Sequence, residues 1–293
     1  MAKVELTGNH YRRDKFPIYL TKKTGTQVDL DTGHWLNGPY GDTGKIGKDF
    51  FERLAASTGS EFFVNSPGAG LIPDFQQLKN PDFDPARVDP AIVDFYERTA
   101  DYHLDLRTRW SRPFRPLGRA LHTVYTGRIE QMNIPTRRSD ESGLSSEIQQ
   151  IVDPTTSSVN QTAWVRTHED SGKVLYAGSY SVAQLDSGLN VVKVVFPLPD
   201  SNASVLLKPV NKPDGSFELV SAGEKFGDPG FYFVAQESDT GNTYARYVRN
   251  MKQRIHVYKP PEKEGPLLLT DHSFHLGGGH EFLNLRYNIS HKN

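Results

Sequence analysis

The stretch DYHLDLRTRW at 101–110 combines residue types that recognise anionic groups with a regular spacing. Ionisable residues occupy every second position, and the positions between them are mostly apolar or aromatic. A period of two places the two sets on opposite faces of a β-strand. The stretch therefore predicts a strand with one core face and one face that either lines a pocket or meets water. The ionisable set is Asp101, His103, Asp105, Arg107 and Arg109.

Arginine is concentrated around this strand. Residues 98–138 contain nine arginines, no lysine and three acidic residues, which leaves a local net charge of +6 in a chain whose net charge is -1. The planar guanidinium binds carboxylates and phosphates in two-point geometry. Two interpretations stay open: a solvated face with Arg–Asp pairs, and an anion-binding surface. The balanced total charge argues against nucleic acid as a partner.

Two later segments show a similar alternation of polar residues. In KQRIHVY the polar residues at 252, 254, 256 and 258 share one face, and in NTYARYV those at 244 and 246 do. If these strands and 101–110 turn their polar faces into a barrel, the lumen suits an amphipathic ligand with an acid group. The predicted ligand-binding residues are His103, Arg107, Arg109, Tyr244, Arg246 and Arg254.

The same lumen would also allow proton transfer. A His or Asp serves as a base in such sites, and a Tyr or Arg stabilises an oxyanion. The candidate catalytic residues are His256, Asp228 and Tyr258. For Asp228, which lies in the turn sequence FGDPG, the preferred interpretation is that its carboxylate caps its own turn.

Cofactor and metal motifs are incomplete. GPYGDTGKIG lacks the first glycine and the hydroxyl residue of a phosphate-binding loop. His272, His275 and His280 are the densest histidine group, but His272 and His275 point to opposite faces if they lie on one strand. The chain has no cysteine, which excludes disulfides and thiolate nucleophiles. We therefore expect no cofactor and no metal, with a zinc or iron site on the three histidines as the less favoured alternative.

The elements that must position these residues change in character near residue 140. Residues 1–140 predict a mixed helical and irregular segment with one or two strands, including a helix that starts at Asp89 and Pro90. Residues 141–293 predict an antiparallel meander, with about ten short strands from about residue 161 onward that are separated by turns rich in Gly, Pro, Asp and Asn. The fold class is α+β and predominantly antiparallel β: a large meander barrel or sandwich with the first segment packed on it, or one integrated domain.

Three segments resemble an uncharacterised bacterial protein family: FYERTADYHLDLRTRW, VVKVVFPLPDSNASVLLKP and FGDPGFY. The resemblance covers roughly residues 90–290 and implies no assigned activity. The meander also resembles lipocalin-like barrels, which is an analogy of fold alone.

The expected function is the binding of a small organic molecule, partly apolar and with an acidic group, in the lumen of the barrel. A cofactor-independent isomerase, cyclase or hydrolase and an interaction module without a pocket are the alternatives. The N-terminal residues lack the apolar core of a signal peptide, and no run approaches the ~20 apolar residues of a membrane span. We therefore expect a cytoplasmic protein with no membrane or nucleic-acid partner, and the oligomeric state stays open.

Overall fold

Fourteen strands, joined by antiparallel ladders, make up most of the described structure. The computed structural model describes residues 16–41, 45–122, 126–136, 143–237, 240–261 and 265–292. The strands are β1 (Thr26–Val28), β2 (Glu61–Val64), β3 (Tyr102–Trp110), β4 (Leu144–Val152), β5 (Val159–His168), β6 (Val174–Gln184), β7 (Asn190–Leu198), β8 (Ser201–Asn211), β9 (Phe217–Ser221), β10 (Phe231–Gln236), β11 (Thr243–Tyr247), β12 (Met251–Tyr258), β13 (Leu268–Leu276) and β14 (His280–His291). The helices are α1 (Phe16–Thr24), α2 (Phe50–Thr58), α3 (Pro90–Glu97), α4 (Arg115–Leu121) and α5 (Gly127–Ile129).

The sheet divides at β8. One edge of β8 pairs with β7, while the other edge pairs with β10 over residues 201–205 and with β9 over residues 208–211. Two sheets therefore share β8, one in the order β2-β4-β5-β6-β7-β8-β10-β11-β1 and the other in the order β8-β9-β12-β13-β14-β3. This arrangement confirms the predicted α+β class with a predominantly antiparallel sheet.

The two sheets approach each other again on the side opposite β8, where β3 lies beside β4. Among the described residues no ladder of hydrogen bonds joins β3 to β4, so the sheet is not closed. The segment before residue 140 supplies β1, β2 and β3, which pair with β11, β4 and β14. Both predicted segments thus share one sheet, and the boundary near residue 140 falls within 137–142, outside the described residues.

Residues 71–100, which we call the plug, fill one end of the space between the sheets. The ring of Phe75 packs against Phe83, Tyr96 and Phe217 with centroid distances of 5.3–6.4 Å. In the same segment the carboxylate of Asp89 accepts a hydrogen bond from Ala91 N at 2.9 Å, so α3 starts where the sequence predicts it.

Residues 111–122 and 126–136, which we call the cover, lie at the other end. The indole nitrogen of Trp110 donates to Pro135 O at 2.8 Å. The buried amide of Gln131 donates to Ala177 O and Pro197 O and accepts from Ala177 N, which ties the cover to β6 and β7. Plug and cover are separated by the length of β3, roughly 25–30 Å at about 3.3 Å per residue.

Candidate functional site

A cavity of about 710 Å³ lies between the two sheets, with the plug at one end and the cover at the other. This volume falls in the range of about 300–1,000 Å³ that is usual for small-molecule sites. Strands of both sheets line it, together with Leu71, Phe95 and Tyr96 of the plug and Thr126, Met132 and Ile134 of the cover. Its walls are mostly aliphatic and aromatic. Among the strand residues that line it, arginine, histidine, tyrosine, glutamine and threonine side chains occur at Arg166, Tyr176, Tyr180, Tyr232, Gln253, Thr270, His272 and Tyr287.

Arg166 is the cation among the described residues that line this cavity, and the residue is only 5% exposed. It lies on β5 between Trp164 and His168 on the inward face, because alternate residues of the strand point the same way. Its carbon Cζ lies 4.0 Å from the ring centroid of Trp164, 4.9 Å from that of Tyr176 and 5.5 Å from that of Tyr287. Aromatic faces attract a desolvated cation, so the three rings partly offset the cost of burying the charge.

The hydrogen-bonding capacity of Arg166 is largely unused. Its Nη1 donates to Tyr287 Oη at 2.9 Å, while Nε has no acceptor among the described residues. No carboxylate of the described residues forms an ion pair with it. A guanidinium has five N–H donors and binds a carboxylate or phosphate through two of them at once. The site can therefore accept an acid group.

His272 is a second polar group with an unused nitrogen. It lies on β13, its ring packs 4.2 Å from that of Phe274, and its Nε2 has no partner among the described residues. Burial lowers the pKa of His272 to about 3, and the nearby charge of Arg166 acts in the same direction. The imidazole is neutral at physiological pH, so it can share a hydrogen bond with a ligand without adding charge.

The cavity tyrosines stay protonated. Burial raises the pKa of Tyr176, Tyr180 and Tyr287 above its ordinary value. Their hydroxyls are therefore available as neutral hydrogen-bonding groups on a mostly apolar wall. Together with Arg166 they allow the cavity to hold an apolar chain or ring system that ends in one acid group.

The structure places the predicted residues of β3 on the outer face of the sheet. Tyr102, Leu104 and Leu106 are the buried set, and the residues between them point away from the cavity. His103 lies 3.3 Å from Asp105, and the exposed Arg107 and Arg109 lie further along the same face, where Arg109 pairs with Glu281. Of the two orientations that the sequence left open, the structure has the one in which the charged set faces outward, because burying the apolar set gains free energy whereas burying the charges would cost it.

The predicted residues of β12 also face outward. Met251, Gln253 and Ile255 line the cavity, so the alternate positions point the other way. Arg254 forms an ion pair with Glu218, His256 Nε2 lies 2.8 Å from Ser216 Oγ, and Tyr258 donates to Asp271 at 2.9 Å. The rings of His256 and Tyr258 stack at 4.8 Å, so the structure brings these residues together, but on the surface of the sheet.

The remaining predicted residues lie apart from both groups. Tyr244 and Arg246 are on β11 of the other sheet and are not among the residues that line the cavity. The carboxylate of Asp228 accepts hydrogen bonds from Glu224 N at 3.0 Å and Lys225 N at 3.1 Å. That geometry agrees with the preferred interpretation of Asp228 as a turn cap, and its role as a base stays a prediction.

The three histidines do not converge. His272 borders the cavity, whereas His275 bonds to Ser273 Oγ and Gly279 O and His280 is exposed. Within the described ranges no group of three or more His, Asp or Glu side chains is placed to hold a metal ion.

Arg166 was not predicted as a cavity residue, and His272 was considered only as a ligand of a metal. A signal for Arg166 was present, because QTAWVRT places a single arginine directly after the apolar residues 163–165 and two residues after a tryptophan on the same face. That pattern is typical of a cation that is stacked on an aromatic ring inside a fold. Arg107 and Arg109, which lie in the arginine-rich stretch and were predicted to bind the ligand, are exposed instead.

Comparison with known proteins finds a relative without an assigned function. It is the uncharacterized membrane protein YndJ of Bacillus subtilis (strain 168), 29% identical over 206 residues, which are 70% of this chain and 36% of that protein. No protein-family model and no solved structure matches. The relative agrees with the resemblance to an uncharacterised bacterial family, and the lipocalin analogy stays an expectation.

The relative's name bears on location. The part of the chain that the structure describes contains no helix long and apolar enough to cross a bilayer. The relative, of which this chain spans little more than a third, is nevertheless called a membrane protein. The predicted cytoplasmic location is contradicted by that name, and we withdraw it.

Proposed function

We propose that the protein binds a small, partly apolar organic acid in the central cavity, with the acid group against Arg166. The observation that carries this proposal is a guanidinium that is buried in an apolar cavity and has no carboxylate partner among the described residues. A buried charge without a counter-ion costs several kcal/mol, on the order of the value for other buried ions. An anionic ligand would offset that cost.

The size and lining of the cavity limit the class of ligand. A volume of about 710 Å³ with mostly hydrocarbon walls suits a fatty acid, a terpenoid acid or a similar amphiphile. The single cation suits one acid group, and the neutral His272 and the tyrosine hydroxyls suit further neutral polar atoms near it. The name of the relative, a membrane protein, is consistent with a ligand of lipid character.

The two alternative functions receive less support from the geometry. For the enzyme, the predicted acid–base residues His256 and Tyr258 lie on the outer face of the sheet and are not among the residues that line the cavity. A base works best with a pKa near the operating pH, and the pKa of His272 lies far below it. For an interaction module without a pocket, the cavity itself has no role.

Calorimetric titration with two matched ligands tests the proposal. Dodecanoate and 1-dodecanol share one chain length and differ in the head group, and we expect the protein to bind dodecanoate more tightly. Arg166→Met should weaken the binding of dodecanoate by roughly 30-fold to several thousand-fold, which is the usual effect of truncating one partner of a buried charge pair. The same variant should change the affinity for dodecanol by less than about threefold. Equal affinity for both ligands in the unaltered protein, or full dodecanoate affinity in the variant, would overturn the proposal.

A further inference from the structure

The cover carries a concentrated positive charge on the outside of the cavity. Residues 111–136 contain four arginines and one acidic residue, Glu130. The arginines are exposed, and Glu130 is paired with Lys45 from outside the segment. In sequence, the whole stretch 107–129 has six arginines and no Asp or Glu. The exposed arginines of the cover are Arg112, Arg115, Arg119 and Arg128.

The helix α4 in this segment also has an exposed apolar face. Gly118 is buried against the ring of Trp110, which a Cβ at this position would meet at 2.7 Å. Pro116, Leu117 and Ala120 are exposed; because successive helical residues are about 100° apart, Pro116 and Ala120 lie roughly opposite Gly118 and Leu117 lies beside them. Leu117 is 62% exposed, more than any other large hydrophobic side chain in the described ranges.

The exposed arginines and the exposed apolar face of the cover together indicate the kind of partner. We propose that the cover docks on a membrane surface rich in anionic lipid, with its arginines among the head groups and the Pro116, Leu117 and Ala120 face in the interfacial layer. Clustered basic residues beside exposed apolar ones are typical of segments that lie on anionic bilayers. A nucleic acid would satisfy the arginines alone and would leave the apolar face in water.

The docking surface lies directly outside the cavity. Met132 and Ile134 of the cover line the cavity from within, and the ring of Phe114 packs against that of Phe282, another lining residue. The cationic part of the cavity adjoins the same end, because His168, two residues after Arg166 on β5, lies with its Nε2 3.0 Å from Asn133 O of the cover. A docked protein would hold this end of the cavity against the lipid head groups.

The two proposals are linked but separable. Docking is argued from the cover alone, whereas the further step, that the cavity takes an acidic lipid from the membrane on which the cover docks, rests on the proposed function. This inference departs from the expectation of no membrane partner, which followed from the total charge and from the lack of an apolar span. Neither the total charge nor the lack of an apolar span describes the charge of one local surface.

Vesicle flotation with the purified full chain tests the docking. We expect the protein to float with vesicles of an equimolar mixture of phosphatidylcholine and phosphatidylglycerol, not with phosphatidylcholine alone, and to be released by salt because the attraction is screened. The double variant Arg112→Glu/Arg128→Glu should bind the anionic vesicles at least roughly thirtyfold more weakly. Leu117→Gln, which leaves the charge unchanged, should weaken binding without altering release by salt. Unchanged flotation of either variant would overturn the proposal.

A matched control has the same change of charge at the plug end. Lys79→Glu/Arg87→Glu replaces two exposed cations there and should retain vesicle binding within about threefold. An equal loss in this control would mean that docking depends on total charge and not on the cover. Tighter binding of a single-stranded oligonucleotide than of the anionic vesicles would also overturn the inference.

One further variant separates the two proposals. Arg166→Met should leave flotation unchanged, because Arg166 is buried and docking uses the outside of the cover. If this variant floats normally but no longer prefers dodecanoate, both proposals stand. Normal flotation of the unaltered protein without a preference for dodecanoate would overturn only the proposed function, and the reverse result would overturn only the docking.

Discussion

Replacing Arg166 by methionine should separate the stability of the ligand-free protein from its ability to bind an acid. The substitution removes one hydrogen bond to Tyr287 and the contacts with three aromatic rings. It also removes the charge of a residue that is only 5% exposed and has no ion-pair partner among the described residues. A methionine occupies a similar elongated volume and can pack on the same rings.

The magnitude follows from these opposing contributions. The lost hydrogen bond to a charged group contributes about 1.5–3 kcal/mol, and a desolvated cation–π contact contributes about 2 kcal/mol. The desolvation cost that disappears is several kcal/mol, and replacement of buried ions by apolar residues is often neutral or stabilising by about 1–4 kcal/mol. We therefore expect the ligand-free variant to be at least as stable as the unaltered protein.

Urea unfolding with and without dodecanoate measures both effects. At a ligand concentration of about 100 times its dissociation constant, the unaltered protein should gain about 2.7 kcal/mol of unfolding free energy, and Arg166→Met should gain almost none. The matched variant Arg166→Lys keeps the charge but loses the planar guanidinium with its paired N–H donors. It should therefore retain the free-energy cost of the buried charge and bind dodecanoate weakly.

A contrary result is easy to recognise. If the free energy of unfolding of ligand-free Arg166→Met is about 2 kcal/mol lower than that of the unaltered protein, Arg166 is a structural residue. The rings and Tyr287 then fully compensate the cost of burying its charge. The lack of a counter-ion would then say nothing about a ligand, and the reasoning from burial to function would fail.

Three other predictions concern groups whose environment the structure defines. Between pH 7.5 and 5 the unfolded chain protonates His272 (ordinary pKa 6.5), while the folded protein, with a pKa of about 3 for this group, does not. Stability therefore falls as the pH falls, and urea unfolding should show that His272→Gln loses about 2 kcal/mol less over this range than the unaltered protein. Burial lowers the pKa of Lys193 to about 8, so the unfolded chain binds more protons between pH 8 and 10.5 and stability should rise with pH. The free energy of unfolding of the unaltered protein relative to that of Lys193→Met should rise by about 1–2 kcal/mol between pH 8 and pH 9.5; the titration of the tyrosines is common to both proteins and cancels in this difference. A difference that does not change with pH would contradict the burial of Lys193. Gln131→Leu leaves Ala177 N and O without their partner and should cost about 2–5 kcal/mol, with faster amide hydrogen exchange at Ala177 than at the β6 residues beyond the contact.

Several local features follow from the sequence because they depend on neighbouring residues. The alternation at 101–110 correctly separates the two faces of β3, since side chains of a strand alternate whatever packs on them. The Asp89–Pro90 pair correctly marks the start of α3, because capping and the missing N–H of proline are local effects. The turn chemistry correctly separates the ten strands from β5 to β14.

The candidate site depends on contacts that no local pattern contains. Arg166 and Tyr287 meet across 121 positions of sequence, because β5 and β14 lie on different sheets that face each other only after β8 divides its partners between β9 and β10. The sequence by itself determined which residues share a face of each strand. Only the tertiary structure decided which face looks into the cavity, because that depends on which sheet lies opposite and on the free-energy cost of enclosing each set of side chains.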